Sequence, residues 1–438
     1  MNVNLIRLEL LSTPERERLL RRSEEDIASL TPQVQPIIDQ VRGEGDDALR
    51  RFNTSFGGGT RPDGLIRVPA EDFEKASDRL DWRVREAIDK AAANIRTFHS
   101  RQLGNETWCM ELSPGVLAGE RLTPVASIGL YVPRGKGAFP SVMLMLGIPA
   151  SIARVPHVVV CTPPSSDGSI DDATLYSARI CGINEVYAVG GAHAIAALAY
   201  GTQSVPRVAK ILGPGNKYVS AAKRLLYGKV DVGVPAGPSE SIILCDERAD
   251  ASFAAHDLLI EAEHGPESAA ILVTHSEQLA TTVQAMLPRL VSELPQPRRQ
   301  YCESVLSGYG GIVLTTSLSE SVRFVNDYAP EHLEVLVENP LDLLHSITNA
   351  GEVLLGPYCP ISLGNYAVGV NAILPTGGFA RSCSCVTVHD YLKRSSFAYV
   401  TRQGFHTLSH AVKTLAEFEG FPAHYNAVLV RDRDLPSE

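Results

Sequence analysis

The chain has 438 residues, of which 44% are hydrophobic and 21% charged, a composition typical of a folded protein with two or three structural units. Its 40 Lys and Arg against 50 Asp and Glu give a formal net charge of −10, which argues against broad binding to nucleic-acid phosphates. No apolar run approaches the roughly 20 residues of a membrane helix and no signal-peptide pattern opens the chain, so we expect a cytoplasmic protein with neither nucleic acid nor a membrane as partner.

The N-terminal region predicts helices. Thr13 to Arg51 and Glu71 to Arg101 are charged and have amphipathic spacing, and Gly57 to Gly59 form a break between them. We expect these helices to pack outside a sheet or against a partner subunit.

From about residue 125 the sequence alternates short apolar runs with helical stretches such as Ala192 to Tyr200 and Ser252 to His264. The predicted strands are Ala126 to Val132, His157 to Thr162, Glu185 to Val189, Ile242 to Cys245, Ala270 to Thr274, Gly311 to Leu314 and Glu352 to Leu355. Continuously apolar strands indicate parallel sheets covered by helices on both faces. The fold class is therefore α/β. Beyond residue 378 only one helix, about Leu408 to Glu419, is clear.

Three turns with glycines at the junction join a strand to a helix. The turns are Tyr131 to Gly137, Val189 to His193 and Leu212 to Lys217. Glycine allows a ligand to approach the backbone, and a helix N-terminus offers free N–H groups to a phosphate, so a dinucleotide fits such turns. None of the three has the G-x-G-x-x-G fingerprint or a phosphate-loop ending. Taken singly, each turn is more often structural.

Glu261 and His264 are three residues apart in the last turn of the predicted helix Ser252 to His264. This spacing puts both side chains on one helix face. Local spacing alone favours a helix C-terminus whose histidine interacts with the helix dipole while the glutamate faces water, because such pairs also occur by chance. The rival is the metal pair of a di-metal helix bundle, but that fold requires four long facing helices and this chain shows strands instead.

Glu331 and His332 follow Pro330, which must end any preceding helix. They form a pair of general acid/base groups at one predicted loop. The eight cysteines are too few for a dense disulfide framework, and Cys161 lies in an apolar run, so we expect reduced thiols. Cys383 and Cys385 offer a weak alternative as a metal site or a strained disulfide.

Together these segments resemble the histidinol dehydrogenase family over nearly the whole chain. The motifs that carry the resemblance are Pro235-Ala236-Gly237-Pro238-Ser239-Glu240, Ala262-Glu263-His264-Gly265, Tyr328-Ala329-Pro330-Glu331-His332-Leu333, Leu374-Pro375-Thr376, and Glu419-Gly420 before Ala423-His424. The resemblance implies two Rossmann-like domains with parallel sheets plus small helical terminal segments exchanged in a homodimer. The implied boundaries are residues 1–26 for an N-terminal helical segment, 27–130 and 238–380 for the first Rossmann-like domain, 131–237 for the second, and 381–438 for a small C-terminal domain.

The family binds zinc through glutamine, histidine, aspartate and histidine, and the matching positions here are Glu261, His264, Asn365 and His424. The amide and the carboxylate are exchanged, so the formal ligand charge is unchanged. The family also uses NAD, and the resemblance assigns cofactor contacts to Tyr131, His193 and Asn216, with histidine at 193 where the family usually has glutamine.

The resemblance further implies that His332 accepts the alcohol proton and that Glu331 activates the water that adds to the aldehyde. The implied substrate-binding residues are Ser239, Glu261, His264, His332, Asn365, Glu419 and His424. If Glu419 still meets an amino group, the substrate carries one. Ala372 stands where the family typically has a histidine in the substrate pocket.

These residues predict an NAD- and zinc-dependent dehydrogenase that oxidises a small polar primary alcohol through a bound aldehyde to the carboxylate. The alternatives are authentic histidinol oxidation in histidine biosynthesis, and a catalytically silent homologue kept for binding. The intact pair Glu331 and His332 argues against the silent form. The substituted positions Glu261, Asn365 and Ala372 argue against histidinol itself.

Overall fold

The computed structural model describes residues 2–21, 29–104, 107–134 and 137–432. It consists of two compact units, residues 1–102 with 125–391 and residues 103–124 with 392–438. Gly135 and Lys136 of the first glycine turn lie outside the described residues, as does the predicted boundary at residue 26. The domain boundaries implied by the family stay predictions.

Thirteen strands are present in the described ranges. They are β1 Leu5–Arg7, β2 Thr107–Ser113, β3 Val116–Pro124, β4 Ser127–Tyr131, β5 His157–Thr162, β6 Val186–Ala188, β7 Lys210–Leu212, β8 Glu240–Cys245, β9 Ala269–Thr274, β10 Gly311–Leu314, β11 His332–Leu336, β12 Glu352–Leu355 and β13 Leu392–Val400.

The α-helices of the described ranges alternate with most of these strands. They are α1 Thr13–Arg21, α2 Thr31–Glu44, α3 Asp46–Ser55, α4 Ala70–Arg79, α5 Trp82–Ser100, α6 Pro140–Ile152, α7 Asp172–Ile180, α8 Gly191–Tyr200, α9 Lys217–Leu226, α10 Ala251–Ala262, α11 Glu277–Glu293, α12 Arg298–Ser307, α13 Leu318–Tyr328, α14 Pro340–Leu343, α15 Ile361–Tyr366, α16 Arg402–Phe418 and α17 Pro422–Asp432. Among the described residues, none of these helices is long and apolar enough to cross a bilayer.

The first unit contains two parallel sheets. The six-stranded sheet has the order β1-β10-β9-β8-β11-β12, and the four-stranded sheet has the order β6-β5-β4-β7. Every pairing in both sheets is parallel. This confirms the predicted α/β class with two Rossmann-like sheets. In the six-stranded sheet the series of βα units starts at the central strand β8, continues to β9 and β10 on one side, and then adds β11 and β12 on the other. In the four-stranded sheet the series starts at β4, continues to β5 and β6 on one side, and then adds β7 on the other. The strand order therefore reverses beside β8 and beside β4.

Apolar side chains cover both faces of the six-stranded sheet. One core joins the sheet to α10, α11 and α12, and the other joins it to α13 and side chains of α1. All six residues of β8 are buried, because this strand is central and helices cover both its faces. The four-stranded sheet shares a separate core with α2, α8 and α9.

The second unit contains an antiparallel sheet of order β13-β3-β2 and the two helices α16 and α17. The sequence predicted only one clear helix in this part of the chain, so the structure adds β13 and α17. Thr13 to Arg51 is likewise divided, because α2 ends at Glu44 and α3 starts after Gly45, whose φ of 61° favours glycine.

All eight cysteines fall in the described ranges and are free thiols, as the sequence predicted. Cys383 and Cys385 are not joined to each other.

Candidate active site

The acid/base candidates lie at the amino ends of strands in the six-stranded sheet. Glu331 precedes β11, His332 opens β11, and Glu352 opens β12. Strands β8, β11 and β12 are neighbours in this sheet, so their first residues share one edge. The site therefore lies opposite the carboxyl edge at which ligands of open α/β sheets usually bind.

The chain reaches this edge through a tight turn. Helix α13 ends at Tyr328, and Ala329 takes the left-handed conformation with φ of 52° while its N–H donates to Val325 O at 2.8 Å. A non-glycine residue in this region is uncommon and costs conformational energy. The turn lets Pro330 stop the helix and places His332 at the first position of a buried strand. The predicted loop at Glu331 and His332 is therefore shorter than expected, because the histidine already belongs to the sheet.

His332 is surrounded by carboxylates. Its Nδ1 lies 2.5 Å from Glu352 Oε1, and its Nε2 lies 3.9 Å from Oε1 of both Glu261 and Glu331. Burial disfavours the imidazolium form, but the three carboxylates outweigh it and raise the pKa of His332 to about 10.

Glu331 is held by the backbone of the neighbouring strand. Its Oε2 accepts a hydrogen bond of 2.9 Å from the Glu240 N–H. Burial raises the pKa of Glu331 well above its ordinary value, and the Glu261 carboxylate acts in the same direction while His332 opposes them. A carboxylate with a raised pKa is a stronger base than a solvated one, which suits it to taking a proton from water.

A second group of polar residues lies at the end of α10. Glu261 is completely buried, His264 Nδ1 lies 2.9 Å from Ser239 Oγ, and Asn365 Nδ2 donates to Glu261 Oε1 at 3.3 Å. The predicted helix was slightly too long: α10 ends at Ala262, so His264 stands just beyond it. It still lies beside Glu261, because the chain continues in a further turn in which the His264 N–H donates to Glu261 O at 3.2 Å.

Glu261 and His264 fit a divalent cation. Among the described residues, no hydrogen-bond donor has good geometry towards the buried Glu261 Oε2. His264 Nδ1 lies 3.1 Å from the same oxygen. Burial favours the protonated acid, but His264 and His332 lower the pKa of Glu261. A carboxylate oxygen beside an imidazole nitrogen is a donor pair that Zn²⁺ prefers. No three His, Cys, Asp or Glu side chains of the described ranges form a ready set of ligands, so this pair is an incomplete metal site.

The three predicted cofactor residues come together around one cavity. Tyr131, His193 and Asn216 line a space of about 620 Å³ with Asn53, Arg134 and Tyr218. The cavity lies at the carboxyl ends of β4, β6 and β7, beside the point where the strand order reverses. This is where nucleotides bind in open parallel sheets.

Each of the three residues has a defined local role. Tyr131 Oη accepts from the Gly191 N–H at 3.0 Å, and Asn216 Oδ1 caps α9 by accepting from Tyr218 N at 3.1 Å. His193 Nε2 lies 2.9 Å from Asn53 Oδ1, and burial lowers the pKa of His193 to about 3. His193 is therefore a neutral hydrogen-bonding group, and its contact with a cofactor stays a prediction.

Glu419 and His424 belong to the second unit. Glu419 caps the end of α16, and His424 lies in the first turn of α17 with its ring centroid 5.2 Å from that of Phe421. Both residues are exposed. Their roles as substrate contact and zinc ligand stay predictions.

Sequence reasoning missed two residues of the site, Glu240 and Glu352. Glu240 Oε1 accepts from the Gly377 N–H at 3.0 Å, which ties the start of β8 to the segment after Leu374-Pro375-Thr376. Glu352 touches His332. For Glu352 the available signal was an acidic residue at the first position of a predicted strand that is otherwise apolar, because a buried acidic group needs a partner.

Known proteins resemble this chain over its full length. The family model for histidinol dehydrogenase matches residues 20–432. A histidinol dehydrogenase from Synechocystis sp. is 49% identical over 430 residues, covering 98% of this chain and 99% of the relative. A histidinol dehydrogenase homolog from Cereibacter sphaeroides is 50% identical over 433 residues, covering 98% of each.

A solved structure of the same family also matches this chain. The crystal structure of histidinol dehydrogenase from Elizabethkingia anophelis matches with a TM-score of 0.90 at 34% identity, covering 100% of this chain and 99% of that one. The chain therefore belongs to the histidinol dehydrogenase family, whose members are oxidoreductases that use NAD and Zn²⁺.

Proposed function

We propose that this protein oxidises a small polar primary alcohol, through an aldehyde retained in the site, to the carboxylate. The observation that carries the proposal is the buried pair Glu331 and His332, with His332 Nδ1 bound to Glu352 and Nε2 directed towards Glu261 and Glu331. We also propose that it works in the cytoplasm, in keeping with its family.

His332 acts in the first half of the reaction. Its Nε2 takes the hydroxyl proton as the alcohol loses hydride, and for this step the nitrogen must be unprotonated. Of the three carboxylates around His332, Glu261 contributes most to raising the pKa of the imidazole. A cation bound at Glu261 would offset this negative charge.

Glu331 acts in the second half. Its carboxylate takes a proton from the water that adds to the aldehyde, which forms the hydrate that loses the second hydride. Its Oε2 is held by the Glu240 N–H, so Oε1 is the oxygen left for the water. The two steps use different residues, so a variant of one residue can separate them.

Glu261 and His264 would hold the zinc, with Asn365 and His424 as the further ligands that we propose. When bound there, zinc supplies a positive charge that holds the substrate oxygen in line. NAD⁺ supplies the hydride acceptor, and Tyr131, His193 and Asn216 would line its site. The cavity that these three residues line also includes Arg134, a cation suited to binding the pyrophosphate.

Metal analysis of the purified enzyme should find one Zn²⁺ per subunit, because Glu261 and His264 remain paired at 3.1 Å and the amide/carboxylate exchange conserves charge. A chelator should remove the zinc and lower turnover by roughly 100-fold, since a bound metal contributes several kcal/mol to such reactions. NAD binding, followed by fluorescence, should persist after chelation, because the cofactor cavity has its own lining residues. Fully active enzyme without zinc would contradict the zinc assignment.

Ala372 makes histidinol a poor substrate compared with another polar primary alcohol, such as an amino alcohol or a sulfonated diol. The half-buried Ala372 leaves space and removes a hydrogen-bonding group at a position where the family typically has histidine. The test is NADH formation from histidinol and from a panel of amino alcohols and diols. Efficient turnover of histidinol by the unaltered enzyme would overturn the proposal.

The triple variant Glu261→Gln, Asn365→Asp and Ala372→His should shift the preference towards histidinol. All three changes belong in one variant because Glu261 and Asn365 are in direct contact, and groups that share a metal and a pocket act as a coupled set. The single variant Ala372→His serves as the matched control, since it alters the pocket and leaves the metal pair intact.

Histidinol itself is the second candidate substrate. Ser239 is retained and lies 2.9 Å from His264, and the Synechocystis relative is named histidinol dehydrogenase. The homolog from Cereibacter sphaeroides, which is as similar to this chain, has no substrate in its name beyond the family's. The substrate panel decides between the two candidates.

We further propose a homodimer with shared active sites, in which Glu419 and His424 complete the partner's site. Mixing His332→Asn chains with His424→Ala chains should then restore activity, because each mixed dimer has one site built from intact residues of both chains. Random pairing predicts about one quarter of wild-type activity. A fully active monomer in sedimentation and assay, or mixed dimers without recovered activity, would contradict this arrangement.

A further inference from the structure

We propose that Glu352 is the positioning residue of the reaction: its carboxylate fixes the tautomer and direction of His332, so that Nε2 faces the reacting alcohol. The inference rests on the proposed function to the extent that His332 is the acid/base group.

The sheet brings the two residues together. His332 and Glu352 are direct register partners of the parallel strands β11 and β12, and the pairing begins where the Glu352 N–H donates to Glu331 O at 3.1 Å. Both residues are buried, with His332 3% and Glu352 9% exposed. The pairing is therefore built into the strand register and does not depend on a mobile surface side chain.

The contact determines where the imidazole carries its proton. A carboxylate accepts hydrogen bonds and has no proton to donate, so the 2.5 Å contact with Glu352 Oε1 requires N–H at Nδ1. The lone pair of a neutral ring then lies on Nε2, the nitrogen that faces Glu331 Oε1 at 3.9 Å. A histidine without such a partner can exchange tautomers or rotate, which takes the basic nitrogen away from the substrate.

Helix α15 packs closely against the Glu352 carboxylate through Gly364. A Cβ added to Gly364 would lie 3.1 Å from Glu352 Oε1 and 3.2 Å from Oε2, which is closer than most side-chain contacts. Only the hydrogen of a glycine fits at this position without displacing the carboxylate. Gly364→Ala therefore offers a way to disturb Glu352 while its charge is retained, and alanine is the better helix former of the two.

The experiment compares Glu352→Gln with Gly364→Ala and with Glu338→Gln as a matched control, because the Glu338 side chain is half exposed and pairs with Arg248. Two quantities are measured. The first is kcat and KM for the alcohol that the wild type oxidises best. The second is the far-downfield proton resonance of an imidazole N–H bound to a carboxylate, recorded on protein labelled with ¹⁵N at histidine and assigned by its absence in His332→Asn.

Glu352→Gln should lower kcat by about 10²–10⁴-fold, change KM much less, and abolish the downfield resonance. Gly364→Ala should lower kcat by a smaller factor and shift the resonance, and it keeps the inference testable if the glutamine variant fails to fold. Glu338→Gln should match the wild type. The inference is overturned if kcat of a folded Glu352→Gln stays within about twofold of wild type, if the resonance persists in it, or if Gly364→Ala leaves both quantities unchanged. If the wild type oxidises none of the alcohols, the proposed function fails, and the resonance still tests the pairing of Glu352 with His332.

Discussion

We expect the replacement of His332 by Asn to lower kcat by about 10²–10⁴-fold, the usual contribution of a positioned acid/base group. The effect is large because His332 is buried and its Nε2 faces the carboxylates of Glu261 and Glu331 at 3.9 Å. Asparagine retains an amide N–H that can donate to Glu352, so we expect little change in folding. Steady-state NADH formation measures the loss, and thermal unfolding followed by circular dichroism checks the fold.

His345→Asn is the matched control for this variant. His345 is exposed and lies in a short helical turn before β12, so its replacement should leave kcat unchanged. If the folded His332→Asn variant turns over the alcohol at a rate near that of the wild type, another group takes the proton and His332 loses its assigned role.

We expect the replacement of Glu331 by Gln to slow mainly the oxidation of the aldehyde. The glutamine side chain has the same shape and its Oε1 can still accept from the Glu240 N–H, which donates to Glu331 at 2.9 Å in the wild type. It cannot take a proton from water. We therefore expect aldehyde oxidation to fall by about 10²–10⁴-fold, with a much smaller change in the first hydride transfer.

The two halves are measured separately. The aldehyde is supplied directly with NAD⁺ in one assay, and the first hydride transfer is followed by a single-turnover burst of NADH from the alcohol in the other. Unchanged oxidation of supplied aldehyde by Glu331→Gln would remove Glu331 from the water-activating role. Equal losses in both halves would indicate that the variant damages the whole site.

The strands that the sequence predicts best are those with continuous apolar runs. His157–Thr162 and Gly311–Leu314 occur with the predicted ends, because short, continuously apolar runs between helical stretches are typical of the buried strands of a parallel sheet. Strand β7 is missing from the predicted strands because it is short and begins with Lys210, so it lacks a continuous apolar run. Strand β11 escapes because it begins with His332 and contains Glu334, two polar residues that a single sequence assigns to the surface.

The partners of these polar residues explain why the strand forms. His332 is bound by Glu352, and Glu334 Oε2 accepts from the Ile361 N–H at 3.2 Å. Buried polar groups are tolerated when such partners exist, and the partners stand 20 and 27 residues away along the chain. Local spacing contains no information about them. The residues themselves suggested Glu331 and His332 as an acid/base pair, and the family resemblance supplied their separate roles. Only the strand register revealed Glu352.

The sequence pattern also did not predict at which edge of each sheet the candidate residues lie. The candidate cofactor residues Tyr131, His193 and Asn216 lie at the end of a strand or shortly after one, and their meeting around one cavity agrees with the general preference for carboxyl edges. The candidate acid/base residues lie at the amino edge of the other sheet. Neither the strand pattern nor the spacing of Glu261 and His264 distinguishes the two edges.

The most direct test of the proposed function is the stoichiometry of NADH formation from a limiting amount of the best alcohol in the panel. Oxidation of the alcohol through a retained aldehyde to the carboxylate predicts two NADH for each alcohol consumed, with no aldehyde captured by a carbonyl reagent in solution. One NADH per alcohol with free aldehyde accumulating, or no NADH from any alcohol in the panel, would contradict it.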